Sequence, residues 1–226
     1  MIGSLGQPIL FLVALGFGLG PTFQKAGQGN YLQFLAPGII GMSIIFMAVF
    51  SGIEVIWDRQ FGFLKETLVA PVPRLAIMIG RTFGGATVSS LQGLIVLILS
   101  TLFGFRPNLA FLPLALVFMF LLALLFTTLG TAIASVMEDF HGFQLIMNFL
   151  IMPLFFLSGS IFPLNNVPIV IKIIAAIDPL TYGVDALRGT LIGMTHFGLG
   201  LDFFILSVIT VILLIIGSHL FSKIQV

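Results

Sequence analysis

The chain of 226 residues contains no cysteine and very little charge. Without cysteine there is no disulfide, no thiolate metal ligand and no cysteine nucleophile, whichever compartment the loops face. Nine basic and eight acidic side chains leave a formal net charge of +1, so the chain has no electrostatic footprint for nucleic acid. None of the lysines follows a glycine. No Gly-Lys-Ser or Gly-Lys-Thr loop can therefore bring an ammonium and backbone N–H groups to a phosphate, which excludes ATP binding by a Walker motif. An intramembrane serine protease would want Gly-x-Ser-Gly, and Phe156-Leu157-Ser158-Gly159 lacks the first glycine.

Apolar residues make up 59% of the chain and the mean hydropathy is +1.23, far above what a domain in water could expose. Every charged side chain falls outside six windows, 5–24, 34–53, 85–105, 110–136, 143–162 and 203–222. Each is at or above the roughly 20 residues a helix needs to cross about 30 Å of hydrocarbon. A transmembrane barrel would alternate apolar and polar residues in shorter segments, and Leu94-Ile95-Val96-Leu97-Ile98-Leu99 does not alternate. The fold expected is all-α, a single polytopic membrane domain over 1–226 with six transmembrane helices. The first window is not a signal peptide, since Met1-Ile2-Gly3-Ser4 has no basic region and Gly20-Pro21-Thr22 is a poor cleavage site. An ion-coupled carrier usually buries a carboxylate among its helices, and the six windows hold none.

Six spans place both termini on one side. That side carries Arg59, Lys65, Arg74, Arg81 and Lys223, against Lys25, Arg106, Lys172 and Arg188 on the other, and four of its five cations cluster in the connection 54–84. The positive-inside rule then makes the termini and this connection cytoplasmic. Within it Trp57, Phe61, Leu64 and Leu68 recur at helical spacing, while Asp58, Arg59, Lys65 and Glu66 fall largely on the other side. The spacing predicts an amphipathic helix over about 57–69, ended by Pro71-Val72-Pro73. From pattern alone it rests in the headgroups. Glu54, at the inner end of the second window, can cap this helix or pair with Arg59 or Arg81. The inner turn Glu138-Asp139-Phe140-His141 offers metal-ligand side chains, but short polar turns between spans are commonplace and no metal site is expected there.

On the opposite side the connection 163–202 begins Phe162-Pro163-Leu164-Asn165-Asn166-Val167-Pro168. Its apolar run 170–177 is interrupted by Lys172, stopped by Asp178-Pro179, and too short to span. A re-entrant or surface-lying helix pair fits it, since irregular backbone is tolerated at membrane depth only where protein or a water-filled cavity surrounds it. Pro153 and Ser158-Gly159-Ser160 break the fifth window. The third span carries Gly80 and Gly84, then Gly85, Ser89 and Gly93, two small-residue series that let another helix approach closely. Gln92, Gln144 and Asn148 are uncharged polar residues within or near spans, suited to interhelical hydrogen bonds.

Three ordered stretches carry a resemblance. Tyr31-Leu32-Gln33-Phe34-Leu35-Ala36-Pro37-Gly38-Ile39 enters the second span, and Asp58-Arg59-Gln60-Phe61-Gly62-Phe63-Leu64-Lys65-Glu66-Thr67-Leu68-Val69-Ala70-Pro71-Val72-Pro73-Arg74 fills the inner connection. Pro153-Leu154-Phe155-Phe156-Leu157-Ser158-Gly159-Ser160-Ile161-Phe162-Pro163-Leu164 is followed by Asp178-Pro179-Leu180-Thr181-Tyr182-Gly183-Val184-Asp185-Ala186-Leu187-Arg188. Together they resemble the permeases of type-2 ABC exporters, the drug-resistance, nodulation-factor and polysaccharide export group.

The resemblance implies an ATP-driven exporter subunit with no catalytic residues or cofactor of its own, working by alternating access with a second permease copy, identical or a paralogue. A separate dimer of ATPase subunits would carry ATP and Mg. It also implies that the 57–69 segment is a coupling helix docking on that ATPase through Trp57, Arg59, Phe61, Leu64, Lys65, Glu66 and Leu68, with Glu138 and Asp139 as a second contact. The outer re-entrant segment would be carried by Pro163, Asp178, Pro179, Tyr182, Asp185 and Arg188. Family members generally carry a further stretch, including an inner-leaflet amphipathic helix, before the residues matching Gln7-Pro8, and here Met1 stands six residues before Gln7. An ion-coupled carrier or channel, or a membrane scaffold for a soluble partner, are the competing readings. The cargo is not legible.

Overall fold

The computed structural model describes residues 2–25, 29–63, 72–164 and 167–222. Among them the regular elements are all helical: α1 (Ile2–Lys25), α2 (Tyr31–Phe50), α3 (Ile53–Gln60), α4 (Arg74–Leu102), α5 (Leu112–Val136), α6 (Phe140–Leu157), α7 (Ile169–Ile177), α8 (Pro179–Ile192) and α9 (Leu199–Ser222). Six of the described helices, α1, α2, α4, α5, α6 and α9, are long and apolar enough to cross a membrane.

Local sequence explains where several of them start. Asn30, Asp139 and Asp178 cap α2, α6 and α8, accepting hydrogen bonds from the backbone N–H of Leu32, Gly142 and Leu180. Each satisfies a donor that the first turn of a helix leaves without an intrahelical partner. Pro179 at the first position of α8 has no N–H to lose. Gly193 ends α8 in the left-handed region, at φ 72°.

α2 lies at the centre, with every residue from Leu35 to Ile45 buried. Such a helix is apolar all round because it has neighbours all round. Its contact with α5 is backbone against backbone: a Cβ added to Gly130 would sit 2.4 Å from the Val49 carbonyl oxygen. The small-residue series of α4 divides. Gly85 and Gly93 lie against Ser51, Thr127 and Ile44, and Ser89 is buried, whereas Gly80 and Gly84 have nothing within 4 Å. Only the second series is a packing seam.

Two expectations are corrected. The amphipathic helix expected over 57–69 is not one helix: α3 ends at Gln60, and Gly62 at φ 82° cannot continue it. Hydropathy spacing carries no signal for that break, because Phe61 and Leu64 keep the apolar rhythm across it. The last span is not free of acid either. α9 starts at Leu199, four residues before the apolar window, and buries Asp202 in its first turn. The Asp202 N–H returns to the carbonyl of Gly198, whose φ of 98° closes the preceding loop.

Candidate functional site

Polar contacts gather at the two ends of the helix bundle. At the end shared by the 51–73 connection and the C-terminus of α9, Arg74 donates a hydrogen bond to the carbonyl of Ser222, which places both on one side. There, three consecutive residues of α3 reach four partners on neighbouring segments. Asp58 pairs with Arg81 of α4. Arg59 donates from Nη2 to the Ser135 carbonyl at 2.8 Å and from Nη1 to the Met137 carbonyl at 3.2 Å. Gln60 donates to the Glu138 carbonyl at 3.0 Å. The carbonyls that Arg59 takes belong to the C-terminal end of α5, where a helix has acceptors to spare and favours positive charge. Arg81 pairs with Asp58, not with Glu54.

The carboxylate of Glu138 lies 3.8 Å from Arg59 but its side chain is 87% exposed, so this ion pair contributes little. Asp139 is spent on capping α6. Trp57 stacks on Phe140 with ring centroids 6.0 Å apart, joining α3 to α6, yet stays 47% exposed. Phe61 beside it is 72% exposed. The structure thus brings the two inner segments, Trp57 to Phe61 and Glu138 to Asp139, into one surface. Leu64, Lys65, Glu66 and Leu68 lie outside the described residues. Arg81, expected as a possible partner of Glu54, completes the surface through Asp58 instead, and Gln60 and Phe140 complete it as contacts the sequence did not indicate. A pairing across 23 residues, such as Asp58 to Arg81, leaves no periodic trace.

At the other end Arg188 of α8 organises the chain. Its Nε donates to the Phe34 carbonyl at 3.2 Å, its Nη2 to the carbonyls of Gly159 and Ser160 at 2.9 Å each, and the guanidinium lies 3.7 Å from the centroid of the Phe34 ring. One side chain so ties α8 to the start of α2 and to the turn after α6. Asp185, one turn earlier, accepts from the backbone N–H of His196 at 2.8 Å and of Phe197 at 2.9 Å, fixing the loop that leads into α9. Tyr182 donates to the Ala176 carbonyl at 2.7 Å, closing α7 onto α8 across Asp178 and Pro179. Burial raises the Asp178 carboxyl to about 7, against the Leu180 N–H that favours its ionised form. A cavity of about 180 Å³ lies among Phe34, Pro163, Thr181, Asp185, Arg188 and His196. Pro163, Asp185 and Arg188 are thus neighbours, with Asp178, Pro179 and Tyr182 forming the hinge of the helix pair beside them.

Six apolar spans, with the ion pairs and arginine clusters at the two ends, define a multi-pass helical membrane protein. A family model described as ABC-2 type transporter matches residues 1–192. Nodulation protein J of Rhizobium leguminosarum bv. viciae is 28% identical over 225 residues, covering 99% of this chain and 86% of that protein. The ycf38 transport permease of Cyanophora paradoxa is 31% identical over 196 residues, covering 83% of this chain and 66% of that protein. The chain belongs to the ABC-2 type transporter family, and it is a membrane transport subunit.

Proposed function

We propose that this chain is the transmembrane subunit of an ATP-driven exporter, coupled to a separate ATPase dimer through the surface built by α3 and the α5–α6 turn. The observation that carries the reading is the fixing of α3: Asp58, Arg59 and Gln60 hold it to α4, to the end of α5 and to the α5–α6 turn, while Trp57 and Phe61 stay exposed. A helix that merely rested in headgroups would need no such fixing. A docking surface needs it, because a push on α3 is then passed to two spans at once. The protein supplies the path and the lever; ATP and Mg belong to the partner, whose tighter binding of ATP in one state would bias alternating access.

A second permease copy completes the path in this reading. α6 presents exposed Gln144 and half-buried Asn148 beside exposed Leu145 and Phe149. Amide side chains facing lipid are costly, which favours a protein neighbour on this face. The termini and the α3 surface are assigned to the cytoplasmic side of the cell or inner membrane by the cation cluster of the 54–84 connection. An ion-coupled carrier is less well supported, since Asp202 sits in the first turn of its span rather than at mid-depth.

The test is recovery of a co-expressed partner ATPase subunit by tagged Trp57→Ala and Phe61→Ala variants in mild detergent. Loss of a buried aromatic anchor at an interface costs about 2 kcal/mol or more, so recovery should fall over tenfold with membrane yield unchanged. Unchanged recovery in both variants would return α3 to a headgroup-lying helix.

A further inference from the structure

We propose that Asp202 is a proton-binding site at the outer end of the bundle, and that its proton holds the loop between α8 and α9 closed against α8. The proposal stands on this buried acid and not on the docking surface, so either can fail without the other.

The observation is a carboxyl group with nothing to bond to. Asp202 is 0% exposed, and neither of its carboxylate oxygens has a hydrogen-bond partner. A buried hydroxyl without a partner, such as that of Thr127, is a modest cost, whereas an ionised carboxylate in the same condition is a far greater one. The position in the first turn of α9 favours negative charge through the helix dipole, but by much less than burial opposes it.

The neighbours do not supply the missing charge. On α8, Asp185 and Tyr182 lie within electrostatic reach of Asp202. Asp185 is itself an anion, held by the N–H groups of His196 and Phe197 and balanced by Arg188 one turn on. Tyr182 spends its hydroxyl proton on the Ala176 carbonyl. His196, in the loop, is exposed, so its charge is screened by water. α4 and α5 pack against α9 and bring no charge to this end: α5 has no titratable side chain, and those of α4, Arg74 and Arg81, lie at the inner end. Buried charge here therefore balances with Asp202 neutral and fails to balance with it ionised. A metal ion would need several converging oxygen ligands, and among the described residues no three acid or histidine side chains converge. A proton is the ligand that fits.

The consequence falls on the loop. Asp185 pins residues 194–197 to α8, and the segment is bounded by Gly193 at φ 72° and Gly198 at φ 98°. Met194, Thr195, His196 and Phe197 form one wall of the outer cavity. Ionised Asp202 would set a second negative charge beside Asp185 in a dry site. Relief comes from moving the first turn of α9 toward water, and Gly198, whose carbonyl holds the Asp202 N–H, moves with it. The closed loop binds the proton, so acid favours it and base releases it.

The chain has no cysteine, so Thr195→Cys, exposed in the loop, carries a single nitroxide label; Met194→Cys is the alternative site. Its mobility is read by electron spin resonance in phosphatidylcholine nanodiscs, whose headgroups do not titrate over the range. The mobile fraction should rise about threefold or more from about pH 5 to about pH 9. Asp202→Asn, which keeps the shape of the neutral acid, should hold the loop throughout, and Asp202→Leu tests the same point if the amide variant is recovered poorly. His196→Gln and Asp178→Asn should leave the transition in place, which separates it from the imidazole beside the label and from the α7–α8 hinge. Mobility independent of pH in the labelled parent, a transition that survives Asp202→Asn or Asp202→Leu, or one abolished by His196→Gln or Asp178→Asn would overturn the proposal.

Discussion

Arg188 lies over the ring of Phe34, 3.7 Å from its centroid, and donates from its Nε to the carbonyl of the same residue. Two further carbonyls, of Gly159 and Ser160, complete the guanidinium's partners. The planar fork of arginine is what serves three acceptors and a ring together. Arg188→Lys should therefore behave as a disruptive change. Leaving carbonyls without partners costs about 2 kcal/mol, or roughly 4–8 °C of thermal midpoint in a chain of this size. Thermal unfolding in detergent measures it, and an unchanged midpoint would remove Arg188 from its organising role.

The crossing of α2 and α5 predicts an asymmetry between two glycines. Gly130→Ala places a methyl 2.4 Å from the Val49 carbonyl oxygen, so the helices must part and folded yield should collapse. Gly84→Ala meets nothing within 4 Å and should be neutral or stabilising by about 0.5–1 kcal/mol, since alanine is the better helix former. Size-exclusion profiles of the two variants check both expectations.

Asp178 gives the outer helix pair a pH dependence. Its carboxyl is pushed up to about 7 from the model-peptide value of 3.8 by burial, so between those values the folded chain holds a proton that the unfolded chain releases. Stability contributed by this group is greatest at low pH and falls as pH rises from about 4 through 7. Asp178→Asn keeps an excellent cap and removes the ionisation. The variant should show a flatter midpoint-versus-pH curve across that window, and an unaltered slope would assign the dependence elsewhere.

Topology is open to a thiol test in this cysteine-free chain. Lys172→Cys should react with an impermeant reagent on intact cells, whereas Lys65→Cys should react only after permeabilisation. The reverse pattern would invert the orientation of the bundle.

Much of the fold was legible because lipid imposes a single demand, long apolar stretches, that hydropathy reads directly. What escaped the sequence was set by backbone geometry and distant contact. The break after Gln60 comes from the positive φ of Gly62, while the apolar spacing runs on through it. Asp202 was misplaced because a helix can begin with a polar turn that a hydropathy window trims away. The site residues divide the same way. Arg59, Asp185 and Arg188 stood out as charges in a chain that has few. Their partners are mostly main-chain atoms far along the sequence, which composition cannot indicate.

The central claim, that this chain moves cargo only by borrowing the energy of another polypeptide, is tested most directly by ATP hydrolysis in nanodiscs. The chain alone should show no turnover above a mock preparation, since it carries no Walker lysine. Adding the partner ATPase subunit should give turnover that depends on Mg and is lost on docking-surface substitution at Trp57 and Phe61. Sustained hydrolysis by the isolated chain, or turnover with the partner that is indifferent to those two residues, would contradict the account.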